Sequence, residues 1–166
     1  MIIERAATII NVIEYLTISS ICTDGSPWNT PVYSAYDEEL NFYWASWVKN
    51  QHSRNIETHP DVFCVIYDSR APAGTGEGIY FKGLAHSLHE EEEIRKGRRL
   101  LDRREGTESD EDKIQKLIDG NPRRIFQFTP TVCWMNDGST KNGDYIDIRK
   151  EIDLSQLKKY IADQDD

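Results

Sequence analysis

The chain has 166 residues, 38% of them hydrophobic and 30% charged, with a formal net charge of -9. This is the size and balance of one globular domain with a single sizeable core, and the acidity argues against general nucleic-acid binding and against docking on anionic membranes, which both need a basic surface. The apolar runs are too short to span a bilayer, and Met1-Ile2-Ile3-Glu4-Arg5 lacks the basic stretch and apolar core of a signal peptide, so a cytoplasmic location is expected.

Ala6, Ala7, Ile10 and Ile13 recur at three-to-four spacing and predict a helix over 4–14. The period then drops to two: Leu16, Ile18 and Cys22 share one face of a strand over 16–22. Asp24-Gly25 tolerates positive φ and marks a hairpin into a strand over 28–36. Pro31 removes a ladder donor from that strand, which puts it at a sheet edge or at a bulge. Asp37-Glu38-Glu39 turn the chain into a strand over 40–46, with Leu40, Phe42 and Trp44 on one face and Tyr43 on the other. A short helix follows, with Ile56 on its buried side, and His59-Pro60 marks its end.

Residues 62–68 predict a fourth strand, 71–78 a glycine-rich loop and 79–88 a fifth strand. The helix predicted over 90–104 has an acidic first turn and a basic last turn, which complement its dipole, and i,i+4 pairs Glu91–Arg95 and Glu92–Lys96. Ser109 with Asp112 resembles a capping box for a helix over 110–119, striped by Ile114, Leu117 and Ile118 and stopped by Gly120 and Pro122. Strands return at 123–134 and 144–149, and Leu154, Leu157, Tyr160 and Ile161 predict a short closing helix. With no internal repeat and no low-complexity linker, the expected fold is mainly β: a six- to seven-stranded antiparallel barrel with helices outside it, one domain over 1–166 with its core at about 15–150.

Familiar catalytic signatures are missing: there is no HExxH, no Gly-x-Ser-x-Gly and no Gly-x4-Gly-Lys-Ser/Thr. GTGEG at 74–78 precedes a strand instead of a helix, so it reads as a loop and not as a dinucleotide fingerprint. Cys22, Cys64 and Cys133 are odd in number and widely spaced, the pattern of buried free thiols, not of disulfides or zinc. His86 and His89 are three apart with no third ligand nearby and read as surface histidines, so no metal site is expected. Asn50-Gln51-His52-Ser53 opens the short helix after the aromatic strand; it is either an ordinary polar cap or a phosphate cradle, because a helix N-terminus offers unpaired amides and partial positive charge. Trp44 shares the Leu40/Phe42 face and reads as core, whereas Trp47 suits an interface, a ligand or a core position.

The order of these segments is informative. GSPWNTPVYSAYDEELNFYWAS, NQHSRNIETHPDVFCVIYDS and GIYFKGLAHSL contain Gly25, Pro27, Pro31, Val32, Ser46, Asn55, Ile56, Pro60, Val62, Tyr80, Gly83 and Ala85 in an arrangement that resembles the FMN-binding split-barrel family related to pyridoxamine 5'-phosphate oxidase. VCWMNDG at 132–138 and DYIDIR at 144–149 are similar to the tail of that family, and the resemblance spans about 15–150. It implies a six-stranded split barrel that dimerises, with FMN in grooves at the dimer interface. Asn29, Thr30, Pro31 and Val32 would then lie along the isoalloxazine, Ala45 and Ser46 would flank the ring or ribityl chain, and Asn50, Gln51 and His52 would meet the phosphate. Trp134, with Asn136, would reach the cofactor from the other subunit.

Two departures bear on function. The oxidase has an Arg-Lys pair where this chain has Gln51-His52, which removes two charges from the phosphate cradle and leaves Lys49 and Arg54 as nearby replacements. Its Arg-Leu-x-Pro ending is replaced by residues 161–166, which argues against pyridoxamine phosphate as substrate. The expected function is an FMN-dependent oxidoreductase that exchanges a hydride with a nicotinamide or small organic substrate; no side chain is assigned as catalytic because the flavin carries the chemistry. The alternatives are a flavin-storing or flavin-sensing module, and a barrel that takes haem or a deazaflavin. His52 in the cradle further implies FMN binding that varies with pH over roughly 5 to 8.

Overall fold

The computed structural model describes residues 1–141 and 144–164. Of the C-terminal residues that depart from the oxidase ending, Asp165 and Asp166 lie outside this range. In chain order the elements are α1 (Ile2–Val12), β1 (Tyr15–Ile21), β2 (Pro27–Tyr33), β3 (Ala35–Tyr36), β4 (Phe42–Trp47), α2 (Gln51–Thr58), β5 (Asp61–Tyr67), β6 (Gly78–Ser87), α3 (Glu91–Glu105), α4 (Glu111–Ile118), β7 (Arg123–Lys141), β8 (Asp144–Ile152) and α5 (Leu154–Ala162). The strands form one antiparallel sheet in the order β2-β1-β5-β6-β7-β4-β3, with β8 added on β7. This is the mainly β antiparallel architecture with peripheral helices that the alternation predicts, in the split-barrel form that the resemblance implies, with eight strands where six or seven are expected. No helix among the described residues is long and apolar enough to cross a membrane.

The strand expected over 28–36 is two strands. β2 pairs with β1 at one end of the sheet, whereas β3 pairs with β4 at the other end. The break is Ser34, whose N–H donates to the Glu14 carbonyl at 2.9 Å instead of to a sheet neighbour. One continuous stretch of chain thereby ties the two ends of the sheet together and curls it. Pro31 sits in β2, the outermost strand at one end of the sheet, where a proline is tolerated because only one side of the strand is paired.

Inward residues alternate as a strand requires. Leu16 and Ile18, Val62 with Cys64 and Ile66, Ile79 with Phe81, and Phe126, Phe128 and Met135 fill the barrel with Phe42 and Trp44. Trp44 stacks on Phe126 at 5.5 Å and is fully buried, as its face predicts. Ala6, Ala7 and Ile10 of α1, with Leu157 and Ile161 of α5, cap this core. A second cluster lies on the opposite side of β4 and β7, where Tyr43 and Ile125 meet Leu88, Ile94, Leu101 and Leu117. That cluster fixes α3 and α4 against the outside of the barrel.

The turn before β4 is held by one buried carboxylate. Asp37 accepts from the Glu39 N–H (3.0 Å), the Asn41 N–H (2.8 Å), the Tyr43 hydroxyl (2.9 Å) and Lys96 Nζ (2.7 Å). Burial alone would raise its pKa, but these bonds hold it below its ordinary value. The same knot keeps Leu40, a non-glycine residue at φ +56, in the left-handed region with its side chain fully buried.

Several local expectations need correction. Lys96 goes to Asp37, so of the two expected i,i+4 pairs on α3 only Glu91–Arg95 forms, at 2.8 Å. α4 is capped by Asp110, which accepts from the Asp112 and Lys113 N–H groups, and not by Ser109. Cys22 lies beyond the end of β1 and is half-buried, while Cys64 and Cys133 are buried as expected. β7 runs past its expected end at 134 to pair with β8. His86 and His89 are exposed, and no metal-ligating cluster occurs among the described residues.

A bulge between Lys82 and Gly83 shifts the β6–β7 register. A Cβ at Gly83 would lie 2.1 Å from the Thr129 carbonyl oxygen and 2.8 Å from Phe128 Cε2. Gly83→Ala is therefore expected to destabilise the fold by about 2 to 3 kcal/mol, read as a lower urea midpoint at unchanged m-value. A midpoint equal to that of the parent chain would mean that the bulge absorbs the methyl group.

Candidate functional site

β2 and β4 come together across the split, because the chain between them reverses through Ser34 and the Asp37 turn. A cleft of about 340 Å³ opens there. Seven of the ten residues singled out from the sequence line it: Thr30, Pro31, Val32, Ala45, Ser46, Asn50 and His52. Tyr15, Tyr33 and Leu101 add apolar wall, and Arg98, Glu105 and Arg123 add charge. The outer side of β2 has no strand partner among the described residues, so part of its backbone is open to a ligand. A second cleft of about 420 Å³ shares Ala45, Arg98, Glu105 and Arg123 and continues between α3 and α4 past both signs of charge, Asp102, Glu108 and Asp110 as well as Lys113 and Lys116.

The polar end is built by α2. Asn50 is its N-cap by backbone geometry, but its side chain makes no capping bond, so the amide is not committed to the helix. His52 is only 4% exposed, and its Nε2 lies 2.8 Å from Ser46 Oγ. Burial pushes this imidazole below its ordinary range, so it is neutral near pH 7. It therefore does not restore the charge that a lysine there would carry. Ser53 turns fully inward, and its hydroxyl has no partner among the described residues.

Three singled-out residues do not line the cleft. Asn29 is exposed on β2, opposite Ser19 of β1. Gln51 is spent within its own helix: its amide nitrogen donates to Asn55 Oδ1 at 2.8 Å and its oxygen accepts from Arg54 at 2.6 Å. Trp134 lies on the outer face of β7, stacked on Phe63 at 6.0 Å. Asn136, beyond it, clamps its own chain: its oxygen accepts from the Gly78 N–H at 2.7 Å and its amide donates to the Gly76 carbonyl at 3.2 Å. Trp28 and Trp47 are 45% and 54% exposed, so neither is core.

The cations near this site are not those nearest in sequence. Lys49 and Arg54 are absent from the cleft lining, and Arg98 and Arg123 take that position. Arg98 is matched by Asp102, with Nε to Oδ1 at 2.8 Å, and by Glu105 at 3.1 Å. These residues come from α3 and the start of β7, and no signal in the 50–60 stretch points to them.

No family model matches the chain, and no curated protein matches it in sequence. Solved structures do match. A conserved hypothetical protein from Mycobacterium tuberculosis is 22% identical over 78% of this chain and 81% of its own, with a TM-score of 0.64. A haem-binding protein from Mycobacterium smegmatis is 14% identical with a TM-score of 0.68; it matches 96% of this chain, which spans 60% of that protein. A candidate pyridoxamine 5'-phosphate oxidase from Listeria innocua is 14% identical over 80% of this chain and 96% of its own, with a TM-score of 0.59. The chain thus has the split-barrel fold of the pyridoxamine 5'-phosphate oxidase-related proteins.

The buried imidazole has a consequence for stability. The folded pKa of His52 lies below the ordinary 6.5, so the unfolded chain takes the proton first as pH falls. Stability is expected to decrease as pH drops below about 6.5, until the folded pKa is reached. Urea unfolding between pH 5 and 8 (roughly the histidine range) should show this slope, and His52→Gln should flatten it. A slope identical in both proteins would assign it to other groups.

Proposed function

We propose that the cleft binds FMN and that the protein is a flavin-dependent oxidoreductase acting as a homodimer on a small organic or nicotinamide substrate. The observation that carries this reading is the convergence of Thr30, Pro31, Val32, Ala45, Ser46, Asn50 and His52, from β2, β4 and α2, on one cavity. Its chemistry fits the group. Pro31, Val32, Tyr33 and Leu101 offer an apolar shelf for a planar ring, and Ser46, Asn50, Arg123 and the α2 N-terminus offer a polar end for a phosphate. Bound flavin supplies the hydride chemistry. The chain's own residues bind and orient it, and no side chain is assigned as acid, base or nucleophile.

The dimer part of the proposal draws on the outer face of β5, β6 and β7. Phe63, Val65, Tyr80 and Trp134 lie there half-exposed, and the Arg149 guanidinium sits 3.9 Å over the Tyr80 ring. A second copy of the chain is the occupant assigned to this face, with Trp134 reaching the partner's cleft.

Haem is the second reading, since similar structures include a haem-binding protein from M. smegmatis and the haem-storage protein HutZ from Vibrio cholerae. Among the described residues the cleft offers one imidazole, His52, and its Nε2 is already engaged by Ser46. That favours flavin over haem.

Titration of the purified protein with FMN should give saturable binding and a protein-bound flavin spectrum, and NADH or NADPH with an acceptor should bleach and restore it. Failure to bind FMN sinks the flavin assignment; binding without turnover leaves a flavin-binding module. Trp134→Ala should weaken FMN binding about tenfold and shift the protein towards monomer in sedimentation. A monomeric parent protein that binds FMN fully would remove the shared-site reading.

A further inference from the structure

We infer that Arg123 is the anion anchor of the cleft and that its guanidinium holds the phosphate monoester of the bound cofactor. The inference rests on the flavin reading and goes beyond it by naming the charge that selects the phosphorylated form. Charge accounting within the cleft carries it. Two arginines and one glutamate line the cavity. Arg98 is neutralised twice, by Asp102 and by Glu105, and Glu105 is thereby also spent. Arg123 makes no side-chain ion pair or hydrogen bond among the described residues. In a chain with a net charge of -9, an uncompensated guanidinium at the mouth of a cavity is a local positive centre in an otherwise acidic protein.

The sheet holds this residue in place. Arg123 is the first residue of β7 and pairs across the ladder with Trp47, directly after Ser46. The Val48 N–H donates to the Pro122 carbonyl at 2.8 Å, and the Arg123 N–H donates to Asn121 Oδ1 at 2.8 Å. Its backbone is therefore fixed on both sides while its side chain remains uncommitted. The same cavity wall carries Asn50, whose amide makes no capping bond, at the N-terminus of α2. A planar guanidinium can donate two parallel bonds to phosphate oxygens, and the helix amides add to the same field. Lys49 and Arg54, the cations nearest in sequence, do not line the cavity, and Arg54 already donates to Gln51 Oε1 at 2.6 Å.

The test compares FMN with riboflavin, which has the same ring and ribityl chain without the phosphate. Wild-type protein, Arg123→Gln and Arg123→Lys are titrated with each. Arg123→Gln is expected to lose about tenfold or more in FMN affinity, with riboflavin affinity unchanged and Arg123→Lys in between. On the unaltered chain, added inorganic phosphate should weaken FMN binding and leave riboflavin binding as it was, a readout that needs no variant to fold. Equal effects on both flavins, or no effect on either, would overturn the role of Arg123 while the flavin reading stood. A wild-type protein that binds neither flavin would overturn the flavin reading and the role of Arg123 with it.

Discussion

At Ser34 the chain leaves one end of the sheet and enters the other, and most of the molecule depends on that crossing. The Ser34 N–H donates to the Glu14 carbonyl, so the segment is anchored where it belongs to neither ladder. Because the covalent chain cannot lengthen, β2 and β4 are drawn together and the sheet curls around Phe42, Trp44, Phe81 and Phe126. The closure is incomplete, and the gap that it leaves is the cleft. Fold and candidate site therefore have one cause: a continuous strand would leave the sheet open, with no cavity between these strands.

Charge is organised around this architecture in two different ways. At Asp37 a buried carboxylate accepts five hydrogen bonds, the Asn41 side-chain amide among the donors, fixes the turn before β4 and ties α3 to the sheet through Lys96. Nothing there is left over for a ligand. Along the cleft the balance is unequal, since Arg98 is matched by two carboxylates and Arg123 by none among the described residues. His52 contributes shape and a bond to Ser46, and burial disfavours its charge. The difference between a structural charge network and a binding one lies in whether the donors and acceptors close on each other.

Much of the fold was legible along the chain because strands and helices announce themselves locally. The period-two face of Phe42 and Trp44, with Tyr43 opposed, marked the two sides of β4, and both sides are packed as it requires, whereas Leu40, expected in the same strand, belongs to the turn before it. Pro31 marked a sheet edge or a bulge for a reason confined to its own backbone, and the topology makes it an edge. The break at Ser34 was not legible, since 28–36 reads as one strand and the competing partner, the Glu14 carbonyl, lies 20 residues away. Similarly, Ser109 looked like a cap, but the neighbouring Asp110 has a carboxylate that satisfies two N–H groups at once.

The sequence by itself determined the alternation that makes a barrel, and it marked the window from Asn29 to His52, where seven of the residues it singled out line the cleft. It did so because that window is short and its elements follow one another, so order and spacing carry spatial meaning. Only the tertiary structure decided which residues face the cavity, turning Gln51 back onto Asn55 and setting Trp134 against Phe63, away from the cleft of its own chain. It also decided which cations the cavity receives. Arg98 and Arg123 arrive from α3 and β7 through long-range packing and ladder register, and whether a charge is free or spent depends on partners that only folding brings within reach.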